Sequence, residues 1–160
     1  MIQVEIDDTA LRAALERLAA QGRRLQPALQ TAGEYLVVTT KRRFASKTAP
    51  DGTPWPANAE SVVAQKGRND PLIGESKRLS REIHYRARDA LLEIGSSLEY
   101  AAAQHFGMAQ GAAGHTARGA PIPWGDIPAR PFLGLSADDR RELLEIIEEH
   151  MREGWDGNGR

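Results

Sequence analysis

Proline and glycine divide this 160-residue chain into blocks, and their placement decides where long helices can run. Ala49–Pro50–Asp51–Gly52–Thr53–Pro54–Trp55–Pro56 is dense in turn formers. A proline inside a helix deletes one hydrogen bond and clashes with the preceding turn, so no helix crosses this segment. Upstream, Leu11, Ala14, Leu15, Leu18 and Ala19 recur at helical spacing behind a cap from Asp8 or Thr9, and Gly22 is expected to end that helix. A second helix runs from Pro27, which suits a first turn, to about Ala45. Leu29, Ala32, Leu36, Val37, Thr40 and Phe44 share one of its sides, while Lys41, Arg42 and Arg43 complement its negative end. Ahead of both, Ile2, Val4 and Ile6 alternate with polar residues, which predicts a short first strand.

Beyond Pro56 the elements shorten. Glu60–Lys66 reads as a short helix and Gly67–Gly74 as a loop. Leu79, Ile83, Tyr85 and Ala87 alternate with Ser80, Glu82, His84 and Arg86, and Arg88–Asp89 can turn the chain into Ala90–Ile94, giving a hairpin. The same stretch can instead begin as a helix at Ser76, because Arg, Lys and Glu tolerate either state. Glu99–Phe106 predicts a short helix closed by Gly107. From Met108 to Ala120 there is little apolar bulk beyond alanine, and Gly111, Gly114 and Gly119 intervene. Such a stretch buries little and loses much entropy on ordering, so a mobile loop or an extended arm is expected over 108–120. Ser136 with Asp139 three positions on predicts a capping-box start for a last helix, whose stripe is Leu143, Leu144, Ile146, Ile147 and Met151. Residues 154–160 are expected to fray. The sum is one α+β domain over 1–160: a small antiparallel sheet containing the hairpin, packed with N-terminal helices and a C-terminal helix.

Composition narrows the function. With no cysteine, disulfides and thiolate metal sites are excluded, and a reducing compartment is expected. No apolar run approaches the roughly 20 residues of a membrane span, and the first residues do not resemble a secretory signal. His84, His105, His115 and His150 lack metal-ligand spacing, no serine sits in a nucleophile elbow, and no phosphate-binding glycine loop is present. Neither catalysis nor a cofactor is expected. Asp138, Asp139, Glu142, Glu145, Glu148 and Glu149 cluster as the polar side of one helix. The net charge is −1, yet residues 41–88 hold eleven Lys and Arg against five Asp and Glu, whereas 138–160 hold four against eight. This polarity reads either as two solvated faces or as unlike faces of neighbouring subunits that meet. Lys41, Arg42, Arg43, Lys77, Arg78 and Arg81 form a candidate basic face for DNA phosphates or a DNA channel. Few aromatics accompany them, so no stacking platform for single strands is expected.

The order of motifs is more specific. Arg43–Phe44, Pro50–Asp51–Gly52–Thr53–Pro54–Trp55, Lys77–Arg78–Leu79 with Ile83, Ile94–Gly95, and Tyr100–Ala101 leading to His105–Phe106–Gly107 precede Ile127–Pro128–Ala129–Arg130–Pro131–Phe132–Leu133–Gly134–Leu135–Ser136. This series resembles the virion morphogenesis, or tail completion, family of Mu-like and P2-like tailed phages over about Ala32 to Met151. Two departures stand out: Ser76–Lys77–Arg78–Leu79 replaces the usual Thr-Gly-Arg-Leu, and Gln104–His105 replaces His-Gln before the Phe-Gly.

The resemblance implies a non-enzymatic subunit of the head–tail junction of the virion, made in the bacterial cytoplasm. It would complete the tail and join it to the head as a homo-oligomeric, six-fold ring around the DNA channel. Neighbouring neck, connector and tail-tube or terminator proteins would be its partners, with non-specific contact to packaged DNA and none to a membrane. Two alternatives are a head-side adaptor or stopper, and a DNA-binding packaging accessory. For subunit contacts the candidates are Trp124, in its Gly/Pro setting, Arg130, and Glu142, Glu145 and Glu149. Arg130 either braces the proline-rich turn through backbone carbonyls or reaches a carboxylate on the adjacent subunit. Trp55, Phe132, Leu133 and Leu135 read as core.

Overall fold

The computed structural model describes residues 2, 8–21, 24–74, 76–88 and 90–153. Its spine is the long helix α2 (Leu25–Ser46), which follows α1 (Thr9–Ala20). Asp8 caps α1, its carboxylate accepting from the N–H groups of Ala10 and Leu11 at 3.1 Å each. Lys47 stops α2 in the left-handed conformation, its N–H donating to the Arg43 carbonyl at 2.7 Å. Short helices α3 (Glu60–Lys66) and α4 (Arg78–Arg81) lead to strands β1 (Ile83–Arg88) and β2 (Leu91–Ser96). Helix α5 (Ala101–Phe106) and the C-terminal helix α6 (Ala137–Glu153) complete the order.

β1 and β2 form an antiparallel hairpin in which Ile83 faces Ser96 and Arg88 faces Leu91. Residues 76–88 thus satisfy both readings of the sequence: a helical turn through Leu79, then a strand from Ile83. Ile2 bridges Ser96, whereas the other positions expected in a first strand, Val4 and Ile6, lie outside the described residues, as do Gly22, Asp89 and 154–160. Gly33 lets the sheet approach α2, since a Cβ there would fall 2.2 Å from the Tyr85 ring.

Two ends of α2 build the core. On one, Ala28 meets Ala14 and Leu18 of α1 and Ile147 of α6. On the other, Phe44 joins Trp55, Leu79, Ile83, Leu98 and Phe132. The Asp51–Gly52 turn delivers Trp55 there: Asp51 accepts from the Thr53 N–H at 2.9 Å, and the Trp55 N–H reaches the Lys47 carbonyl at 2.8 Å. The Trp55 ring then meets Phe44 edge-on, with centroids 5.5 Å apart. Truncating a side chain such as Leu18, fully buried, should cost about 2–5 kcal/mol.

Residues 108–120 are not a bare arm. Met108 and Ile127 exchange backbone hydrogen bonds at 2.9 and 2.8 Å, and Ala113 and Gly114 pair with Ile122 at 2.9 and 2.8 Å. The base of this excursion requires Gly107, where a Cβ would lie 2.8 Å from the Ile127 carbonyl oxygen. Backbone pairing, in place of packed apolar side chains, thus shapes the stretch expected as a mobile loop or an extended arm.

Candidate functional site

The motif block 127–136 is held by side chains from four directions. Arg130 sends Nε to the Pro56 carbonyl and Nη2 to the Ala57 carbonyl, both at 2.8 Å. Trp55 donates from Nε1 to the Pro131 carbonyl at 2.8 Å. Arg43 donates from Nη1 to the carbonyls of Phe132 at 2.9 Å and Gly134 at 3.0 Å. His105 accepts at Nδ1 from the Phe132 N–H at 3.2 Å, and its ring stands edge-on to the Phe132 ring, 5.0 Å between centroids. Prolines leave carbonyls without a regular ladder, and planar cationic donors satisfy them in the interior.

A buried ion pair closes the block. Arg43 Nη2 donates to Asp139 Oδ2, and Tyr35 donates from its hydroxyl to Oδ1 at 3.1 Å. Asp139 also completes the expected capping box: it accepts from the Ser136 N–H at 2.8 Å, while Ser136 Oγ accepts from the Asp139 N–H at 3.0 Å. Burial by itself would raise the Asp139 pKa; Ser136, Arg43 and Tyr35 together hold it below the ordinary carboxylate value. Tyr35 is pushed up to about 12 by burial and by that carboxylate. Burial lowers the pKa of Arg43, against the pull of Asp139, and likewise that of Arg130. Burial also pushes the His105 imidazole down to about 4, which keeps Nδ1 free to accept.

These positions correct three sequence expectations. Arg43 does not belong to an exposed basic face: it is buried, because α2 turns it toward the carbonyls of 132–134. Asp139 does not share the solvated side of α6, since it caps the helix inward. Arg130 is 5% exposed and braces its own chain through the carbonyls of Pro56 and Ala57, the first of its two readings. His105, to which the sequence assigned no role, is an interior acceptor; the only hint was its position beside Phe106–Gly107.

The remaining candidates lie on the surface. Lys41, Arg42, Lys77, Arg78 and Arg81 are exposed, and Arg86 and Arg88 add to the same charge on β1. Glu142, Glu145 and Glu149 are exposed on α6 at spacings that share one side. Trp124 is 78% exposed near the end of the 108–127 excursion, where Gln110 Nε2 donates to its carbonyl at 2.7 Å. A hollow of about 360 Å³ between α3 and α5 is lined by Lys66, Arg78, Tyr100 and Gln104. Among the described residues no group of three or more ligand-type side chains is placed to hold a metal ion, and no helix is long and apolar enough to cross a membrane.

Comparison with known proteins adds the identity that geometry alone does not. Residues 6–152 match the model of the phage virion morphogenesis family. The chain is 32% identical to Tail completion protein S of Escherichia phage P2 over 142 residues, covering 86% of this chain and 89% of that protein. It is 28% identical to Mu-like prophage FluMu G protein 2 of Haemophilus influenzae over 155 residues, covering 95% and 97%. No solved structure matches. With its motif block accounted for by the interior of the fold and a match spanning nearly its whole length, the chain belongs to the phage virion morphogenesis family.

Proposed function

We propose that this chain is a structural subunit that completes the tail of a tailed bacteriophage and joins it to the head, as one member of a closed ring around the DNA channel. The observation that carries this reading is the likeness to Tail completion protein S across 89% of that protein. Supporting it, the conspicuous buried charges serve the fold, which leaves the surface for assembly. Exposed cations on α2, α4 and β1 and exposed Glu142, Glu145 and Glu149 on α6 supply unlike faces that successive copies bring together. Neck, connector and tail-tube or terminator proteins stack on such a ring in the virion.

Phage lacking this chain should accumulate DNA-filled heads and unjoined tails, and supplying it in trans should restore virions, as electron microscopy of lysates would show. Normal virions without it would end this reading. A reconstruction of the junction should show six copies in a closed ring; a single copy or an open filament would remove the ring. A DNA-binding accessory is the second reading, motivated by the exposed Lys41, Arg42, Lys77, Arg78 and Arg81. It requires affinity for duplex DNA that falls steeply with salt in a gel-shift series.

A further inference from the structure

β1 pairs with β2 on one side only. The hairpin closes on Arg88 and Leu91 across a two-residue connection, so that pair exchanges hydrogen bonds. Antiparallel alternation then points the N–H and C=O groups of Ile83, Tyr85 and Ala87 away from β2. The Ile2 N–H agrees with this parity, donating at 3.2 Å to the carbonyl of Ser96, the partner of Ile83. Among the described residues nothing hydrogen-bonds to the outward groups of Ile83, Tyr85 and Ala87.

Beside this edge lies a groove of about 410 Å³, lined by Glu34, Val37 and Val38 of α2 and by Ile83, His84 and Tyr85 of β1. No residue of β2 lines it, so it opens on the outer side of β1. Its walls are mainly apolar, and Val38 is 47% exposed. The opposite face of β1 presents exposed His84, Arg86 and Arg88. An open row of backbone groups, an apolar trough and a cationic face therefore coincide on one strand. Two copies paired through this edge would bring the basic side chains His84, Arg86 and Arg88 of both onto one face, which disfavours self-pairing.

We propose that the outer edge of β1 is a docking site for an extended strand of a partner protein, one that alternates apolar and acidic side chains. The apolar set fills the trough over Val37, Val38 and Tyr85, the acidic set faces Arg86 and Arg88, and the main chain continues the sheet. This goes beyond the ring reading and does not require it.

The test is a titration of the full chain, labelled with nitrogen-15, with a capped peptide of about seven residues alternating valine and glutamate, matched to a strand length. Binding should saturate, weaken with salt, and protect the amides of Ile83, Tyr85 and Ala87 from hydrogen exchange. Ala87→Pro deletes an outward N–H without touching the ladder to β2 and should weaken binding roughly five- to ten-fold. Val38→Glu, at an exposed position that leaves folding intact, should weaken it by a similar factor and decides the matter if Ala87→Pro does not fold. No binding, equal binding of a valine–lysine peptide, or binding without protection of those three amides would overturn the proposal. So would unchanged affinity in Val38→Glu, or dimerisation of the chain through this edge.

Discussion

Two neighbouring segments with the same breaker-rich texture meet opposite fates. Residues 107–127 turn back on themselves through backbone hydrogen bonds and leave Ile122 40% and Trp124 78% exposed. Residues 128–136 make almost no regular backbone ladder, yet Arg130, Phe132 and Leu133 are buried and side chains of Arg43, Trp55 and His105 satisfy the backbone between them. The difference lies in what surrounds each segment. Where long-range donors converge on proline-punctuated chain, irregular backbone becomes interior; where they do not, it must pair with itself at the surface. The block that carries most of the resemblance to the family therefore belongs to the fold, which leaves any contact with a partner to less conspicuous surface.

The sharpest way to break this comparison is to remove the buried carboxylate. Asp139→Ala leaves the Arg43 cation buried without its partner and strips the cap from α6, so it should cost about 3–5 kcal/mol in chemical denaturation. Glu145→Ala, on the exposed side of the same helix, should stay within about 0.5 kcal/mol. Equal effects would mean that Asp139 is not the interior anchor described above.

Next in size is the response to acid. The folded pKa of His105, about 4, lies below its ordinary value of 6.5 because burial disfavours the imidazolium. The neutral ring thus favours the fold: its contribution is complete above about pH 6.5 and is lost as pH falls toward 4, a change on the order of 3 kcal/mol. His105→Asn retains an acceptor for the Phe132 N–H and should flatten the stability profile across that window in urea melts. A variant with an unchanged profile would assign the pH dependence elsewhere.

Arg130→Ala should follow with a loss of roughly 2–3 kcal/mol, because two charge-assisted hydrogen bonds vanish and the carbonyls of Pro56 and Ala57 lose their donor. The sequence reading gave that arginine a choice, and only long-range geometry decides it. Periodicity located α1, α2 and α6, and the capping box at Ser136 and Asp139 was legible because it is a local pattern. Trp55 and Phe132 were legible as core because burying a large ring removes much apolar area from water, an argument that Trp124, 78% exposed, does not obey. Arg43 was not, since its partners lie 89 to 96 residues away and a three-residue basic run looks alike whether one member turns inward or none does. His105 was illegible for a related reason: nothing in its neighbourhood announces the Phe132 N–H that it accepts.

One departure from the pattern that the resemblance implies gains a physical meaning. Lys77, where that pattern would have a glycine, adopts a left-handed backbone, φ 51°, just before α4. A side chain there carries a steric penalty that glycine does not, so Lys77→Gly should stabilise the chain by roughly 0.5–1 kcal/mol despite its greater unfolded-state entropy. A lower melting temperature in that variant would show that Lys77 makes a contact worth more than the strain.

The smallest effect on stability should come from Trp124→Ala, and it is the most informative about the surface segment. With 78% of the residue exposed, little apolar area returns to water on truncation, so the change should lie within about 0.5 kcal/mol. Gln110 holds the backbone of this position through the Trp124 carbonyl, which the substitution keeps, so the excursion should retain its shape. An indole left in solvent is nevertheless an anchor of the kind that dominates protein contacts, where truncation costs 2 kcal/mol or more, about a thirty-fold loss of affinity. If this segment meets a neighbour in the virion, Trp124→Ala should melt like the parent chain while heads and tails remain unjoined. Arg130→Ala should show the reverse, losing stability while any folded fraction still completes virions. Were Trp124→Ala to support normal virions, the exposed indole would be a bystander and the division of labour between the two segments would rest on the interior alone.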